Sequence, residues 1–344
     1  MGAHFSTLLP GYAELHCLSN FTFLRGASSP ESLVAQAAAL GYHALALTDE
    51  CSLAGIVRAH LEAKKSDLKL LIGTELRLDP SDQPAYNIVL LAQHREGYGN
   101  LCELITRGRM QAVKGQYLLR PHEVVVDGCL AILIPQPEVT PADLTLQLAW
   151  LAQHFSSRCW VAISRLHRAQ DNLRLQMIQT LARTHNIPCV AVGQVQMHKR
   201  SRKALHDVLA AIRSRQTVAQ CGYELASNAE QHLRTRLRLS NLYEPEHLLQ
   251  TICIAERCHF SLDELRYEYP EEVVPKGYTP AQYLHEQTWQ GANKRYPAGI
   301  PEHVSTQIKH ELALITELGY ETYFLTVYDL VQFAVSRQIL CQGR

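Results

Sequence analysis

The stretch His16-Cys17-Leu18-Ser19-Asn20-Phe21-Thr22-Phe23-Leu24-Arg25-Gly26-Ala27-Ser28 holds the residue types best suited to chemistry. Tyr12 to Cys17 is a short apolar-leaning segment that predicts a strand, and Gly26 with Ser28-Ser29-Pro30 ends a loop and caps a helix. That puts His16 at the C-terminal end of a first β-strand, where α/β barrels collect their reactive groups. An imidazole there suits a metal or hydrolytic centre. Such a centre wants a second ligand two residues on, on the same face of the strand, and this chain has Leu18. The residues leave open a working site or the remains of one.

The elements that must position this loop follow from pattern. From about residue 12 to residue 215 short apolar runs alternate with helical patterns, which predicts parallel strands joined by crossover helices. The runs are 12–17, 44–48, 68–73, 86–92, 129–134, 159–164 and 188–193. Ser29-Pro30 sets a hydroxyl cap before a proline at the first helical position, Gly41 ends that helix, and Thr140-Pro141 repeats the device before Leu144 to His154. Seven such strands suit a closed or nearly closed barrel, although a doubly wound open sheet gives the same pattern. After residue 215 the strand signals stop. Residues 228–260 read as helices, clearest from Glu244 to Cys258, and an irregular Pro/Tyr-rich passage runs from Tyr267 to Pro275. Further helices are predicted from Thr279-Pro280, over Pro301 to Leu318, and over Tyr323 to Val335. No closing element follows before Gln342-Gly343-Arg344, so the chain reads as a fragment.

Composition narrows the function classes. A chain of 344 residues with 47% hydrophobic content buries an ordinary core. Lys+Arg and Asp+Glu balance at 33 each, so no global positive field draws the chain onto nucleic acid or an anionic membrane, and any such contact is local. Ten cysteines without a Cys-x-x-Cys pair argue for reduced thiols rather than a disulfide framework or zinc knuckle. With no signal pattern and no apolar run of ~20 residues, cytoplasmic residence without a membrane is the expectation.

Several segments then converge. The line from Ala13-Glu14-Leu15-His16 to Gly26-Ala27-Ser28, with Ala46-Leu47-Thr48-Asp49-Glu50, Leu53-Ala54-Gly55, Leu71-Ile72-Gly73-Thr74-Glu75 and Gly97-Tyr98-Gly99-Asn100-Leu101, resembles the N-terminal polymerase-and-histidinol-phosphatase (PHP) domain of bacterial C-family DNA polymerases. Within that family it is most similar to the error-prone, damage-inducible, translesion paralogue of the DNA polymerase III alpha subunit. Glu317-Leu318-Gly319-Tyr320, Tyr323-Phe324-Leu325-Thr326-Val327 and Cys341-Gln342-Gly343-Arg344 resemble the entry into the polymerase palm. The resemblance implies a PHP-type (β/α)7 barrel over 1–275, with a helical C-terminal portion, and the truncated helical start of the palm over 276–344. Gly343 and Arg344 would open the nucleotide phosphate loop.

The carry-over of the family's metal ligands mostly fails. His16 is kept from a His-x-His motif, but Leu18 stands at its second position, and Arg25 replaces a carboxylate. Asp49-Glu50 stands for Asp-His, Glu75 matches an acidic ligand, Asn87 replaces a histidine, and Gln194-Val195-Gln196 replaces Asp-x-His. A di- or trinuclear Zn/Mn centre needs anionic or imidazole ligands to offset metal charge and dehydration; Leu18 and Arg25 supply none, and amides are weak zinc ligands. The set His16, Leu18, Arg25, Asp49, Glu50, Glu75, Asn87, Gln194 and Gln196 is therefore expected to be a vestigial metal pocket, with no metal and no catalytic residue in this fragment.

Each residue also has a plainer role. His16 is a remaining ligand or a buried histidine bonded to Glu75 or Asp49; Glu50 and Glu75 hold a cation or pair with Arg25. The basic run His198 to Lys203 touches a nucleic-acid backbone or is an exposed helix start. Phe324, Tyr328 and Phe333 are expected in the core. His94, His122, His154, His167 and His185 share no spacing and read as surface or cap residues. The resemblance implies a DNA-directed DNA polymerase as the full-length parent, using Mg, DNA and deoxynucleoside triphosphates, with mutasome proteins and the sliding clamp as partners. In that case this piece is a scaffold or docking module. The alternative is a metal-dependent phosphoesterase or proofreading exonuclease on the same barrel.

Overall fold

The computed structural model describes residues 9–66, 68–81, 84–124, 126–265 and 273–341. The chain divides into two units, Met1–Leu265 and Arg266–Arg344. Gly343 and Arg344, the expected phosphate-loop residues, lie outside the described residues, as does most of Tyr267 to Pro275.

In the first unit all seven apolar runs are strands: β1 (Ala13–Cys17), β2 (Ala44–Leu47), β3 (Lys69–Leu78), β4 (Tyr86–Ala92), β5 (Cys129–Ile134), β6 (Cys159–Ile163) and β7 (Cys189–Ala191). They form one sheet in sequence order. The expectation of a wholly parallel sheet fails at β4, which runs antiparallel to both β3 and β5. Only residues 79–85 link β3 to β4, too few for a crossover helix, so the chain doubles back as a hairpin. The helices are α1 (Pro30–Ala39), α2 (Ile56–Ser66), α3 (Arg95–Met110), α4 (Pro141–His154), α5 (Asp171–Thr184), α6 (Lys203–Ser214), α7 (Arg236–Leu242) and α8 (Pro245–Arg257). Ser29 and Thr140 cap α1 and α4 through their side-chain oxygens, and His94 caps α3 by accepting from the Gly97 N–H. Residues 228–235, expected to be helical, are not. Their backbone is spent otherwise: the Gln231 carbonyl accepts from the Gln196 and Met197 N–H groups.

Alternation sorts the sheet residues into two cores. Ala13, Leu15, Ala44, Ala46, Leu71, Val89, Leu91, Leu130, Ile132, Trp160, Val190 and Val192 meet one another inside the curl, joined by Ile254, Ala255 and Cys258 of α8. The opposite faces pack on the surrounding helices. α8 plugs the end of the barrel where the parallel strands begin. There Thr251 accepts from the Ala13 N–H, and Lys69 reaches the Ala255 carbonyl. At the other end the sheet closes on itself by a parallel bridge between Cys17 and Val195: the Leu18 N–H donates to the Val195 carbonyl and the Val195 N–H to that of His16.

The second unit holds α9 (Pro280–Arg295), α10 (Glu302–Leu318) and α11 (Glu321–Ser336). Thr279 caps α9, and Gly319 ends α10 at φ 68°, a left-handed conformation that suits glycine. Phe324 and Phe333 are 43% and 58% exposed, contrary to expectation. Leu325 alone among the described residues of α11 is buried, and the Tyr328 hydroxyl donates to Gln287 of α9. No helix among the described residues is long and apolar enough to cross a membrane.

The tightest backbone approach lies in the loop after β1. A Cβ at Gly26 would fall 1.9 Å from the Ser19 carbonyl oxygen. Gly26→Ala is expected to lower stability by about 2 kcal/mol or more, read as a shifted urea midpoint. An unchanged midpoint would mean that the loop yields.

Candidate functional site at the barrel mouth

The C-terminal ends of β1, β2 and β3 meet in a buried polar cluster, and a bulge aims its histidine. Glu14 pairs with Leu45 and Cys17 with Leu47, so two residues of β1, Leu15 and His16, oppose the single Ala46. The extra residue turns His16 toward the interior, where Leu15 also packs. His16 Nε2 lies 2.6 Å from Glu75 Oε2. A carboxylate only accepts, so this nitrogen carries the proton, and Nδ1 is buried without a partner.

From the loop after β1, Arg25 places Nη1 between two carboxylates, 2.5 Å from Glu50 Oε2 and 2.8 Å from Glu75 Oε1. The Tyr117 hydroxyl donates to the other Glu50 oxygen at 2.9 Å and accepts from the Arg77 N–H. Burial pushes the Glu75 carboxyl up, but Arg25 and His16 outweigh it and hold the group at about 2. Burial likewise disfavours the Arg25 charge, and Glu75 and Glu50 reverse that, raising its pKa above the ordinary arginine value.

Asp49 stands apart from this cluster. It accepts from the N–H and hydroxyl of Ser19 at 2.8 and 2.7 Å and from those of Thr22 at 3.1 and 2.6 Å. Burial raises its pKa, and these four donors offset only part of the rise. Its work is to fix the loop.

The other expected site residues are dispersed. Leu18 is buried. Asn87 sits in the ladder between Arg77 and Ile134 and lines a cavity of about 630 Å³ with Arg25, Glu50 and Gln147. Gln194 adopts φ 47° and offers its carbonyl to the Gln231 side chain. Gln196 accepts from His206 Nε2 at 2.6 Å.

A second buried network escaped the sequence reading. Glu14 accepts from the Tyr12 hydroxyl at 2.8 Å and from the Gly193 and His16 N–H groups at 2.9 and 3.1 Å. A Cβ at Gly193 would fall 2.3 Å from that carboxylate. Arg234, 1% exposed, donates to the Arg165 carbonyl and to the Tyr243 hydroxyl. Glu14 was detectable as a lone charge within an apolar strand; Arg234 lies 220 residues away and carries no local signal.

These donors do not fit a multinuclear metal centre. His16 Nε2, both Glu75 oxygens, both Glu50 oxygens and the Asp49 carboxylate are each engaged within the protein. The Arg25 cation occupies the space between the carboxylates. Among the described residues no group of three or more His, Cys, Asp or Glu is arranged to hold a metal ion.

Residues 14–165 match the PHP domain family, and residues 282–344 match the bacterial DNA polymerase III alpha NTPase domain. The chain is 55% identical over 98% of its length to an error-prone DNA polymerase of Bordetella parapertussis and 51% identical over 98% to one of Dechloromonas aromatica. It spans about a third of the length of these curated relatives, 33% in each case. An amidohydrolase structure from Chromobacterium violaceum covers 54% of this chain and 88% of its own at 15% identity and a TM-score of 0.41.

Two outcomes follow from the Arg25 bridge at the barrel mouth. Arg25→Met leaves Glu75 buried beside Glu50 without a cation, and a loss of about 3 kcal/mol or more is expected in denaturant titration. Because the Glu75 carboxyl is held at about 2 against an ordinary 4.5, its stabilisation is complete above pH 4.5 and fades as pH falls toward 2. Glu75→Gln should therefore trail the parent by about 3 kcal/mol at neutral pH, with the gap closing in acid. A gap independent of pH would refute the charge argument.

Proposed function

We propose that this chain is the N-terminal third of an error-prone DNA polymerase acting in damage-induced mutagenesis and translesion synthesis. In this reading the PHP domain serves as a structural or partner-docking scaffold. The observation that carries the reading is the 55% identity across 98% of the chain, which spans both the PHP and the polymerase III alpha segments. Nucleotidyl transfer belongs to the complete polymerase, with Mg, primed DNA and deoxynucleoside triphosphates. Mutasome proteins and the sliding clamp are its proposed partners, and the cytoplasm its place.

The degenerate pocket supports a scaffold over a phosphoesterase. Hydrolysis at such a site asks for carboxylate and imidazole lone pairs directed into one space. Here Arg25, Tyr117, Ser19 and Thr22 take up those lone pairs by donating hydrogen bonds to them. The interactions bind the loop after β1 to the ends of β2 and β3, which is structural work.

Primer extension tests the proposal. The complete polymerase is expected to extend a primed template, and residues 1–344 alone are expected neither to extend it nor to hydrolyse phosphomonoesters with added Mn or Zn. Elemental analysis should find less than one metal per chain. Extension by the 344 residues, or a folded complete protein that cleaves phosphomonoesters and never extends a primer, would overturn it.

A further inference from the structure

The basic run singled out in the sequence belongs to a larger surface. Between His198 and Gln216 lie six cationic side chains, Lys199, Arg200, Arg202, Lys203, Arg213 and Arg215, against one carboxylate, Asp207, in a chain of zero formal net charge. Asp207 neutralises Lys203, and Glu230 lies 3.7 Å from Arg200. Lys199, Arg202, Arg213 and Arg215 are exposed and have no acidic partner within 4.0 Å among the described residues. The cations flank α6, about 18 Å long, whose outward side carries Val208 and Ile212.

Two exposed aromatic residues are sequence neighbours of positions bonded to this segment. Phe23 is 81% exposed and Tyr223 is fully exposed. Both are tied to α6: Arg213 donates to the Leu24 carbonyl at 2.9 Å, Arg202 to the Ala27 carbonyl at 3.3 Å, and Ser214 to Glu224. The Phe23 loop is rigid. Thr22 is held on Asp49, Arg25 is locked between Glu50 and Glu75, and Leu24 is kept at φ 60°, a conformation costly for leucine that persists only where the surroundings impose it. The fold thus presents an apolar ring to water from an immobile support.

We propose that α6 with the flanking Phe23 and Tyr223 rings forms a binding surface for single-stranded DNA. Cations without an acidic partner meet backbone phosphates and gain counterion release, while exposed rings stack on bases that only an unpaired strand offers. The surface lies outside the pocket around Arg25 and extends the polymerase reading. Its test reads binding rather than synthesis, so its failure leaves that reading intact.

The experiment is fluorescence anisotropy of the 344-residue chain with labelled (dT)20 and with a matched duplex, between 50 and 200 mM NaCl. The parent is expected to prefer the single strand. Tyr223→Ala and Phe23→Ala should each weaken (dT)20 binding about tenfold at an unchanged salt slope and melting temperature. Lys199→Ala/Arg215→Ala should reduce the slope by about 1.4. Equal single-strand affinity in all these variants would overturn the proposal and favour a protein-docking face. Tight duplex binding indifferent to the ring variants would also overturn it, leaving a general polyanion patch.

Discussion

Glu75 is sealed inside the barrel mouth, and the charge that keeps it ionised there is Arg25. The guanidinium spans Glu75 of β3 and Glu50 beyond β2 from a loop that follows β1. One side chain therefore connects three neighbouring chain segments at the mouth of the barrel. His16 completes the arrangement from β1. Every lone pair spent on this bridge is withdrawn from reactive use, so the mouth gains rigidity where a related pocket with free ligands would have chemistry.

That rigidity has a second anchor deeper in the wall. Glu14, two residues before His16, collects N–H groups from Gly193 and His16 and so pins β1 to the segment after β7, where the sheet closes. The bulge in β1 serves both anchors. Without the extra residue between Glu14 and Cys17, one of the two carboxylate networks would lose its partner in β1, because alternate residues face opposite sides.

Much of this was legible locally. Apolar runs located every strand, and the hydroxyl-proline caps at Ser29, Thr140 and Thr279 are present as read. Strand direction was not, since periodicity is the same up or down; the short link 79–85 was the available clue for β4. At the site, the family resemblance pointed to His16, Arg25, Glu50 and Glu75, which the fold joins. Asn87, Gln194 and Gln196 were read from the same motifs and lie in other hydrogen-bond settings. Tyr117 and Arg234 had no sequence signal, for their partners are distant in the chain.

The plug formed by α8 has a bearing on how the protein is made. Residues 14–165 match the PHP family, yet the interior they enclose is lined from the far side by Ile254, Ala255 and Cys258. A ribosome must therefore deliver another ninety or so residues, through Cys258, before the barrel's apolar floor can be shielded from water. Contacts between β1 and α8 close a loop of more than two hundred residues, the kind of long-range pairing that slows folding. During that interval the nascent first half exposes an unsealed apolar interior, the kind of surface that favours aggregation until it is covered.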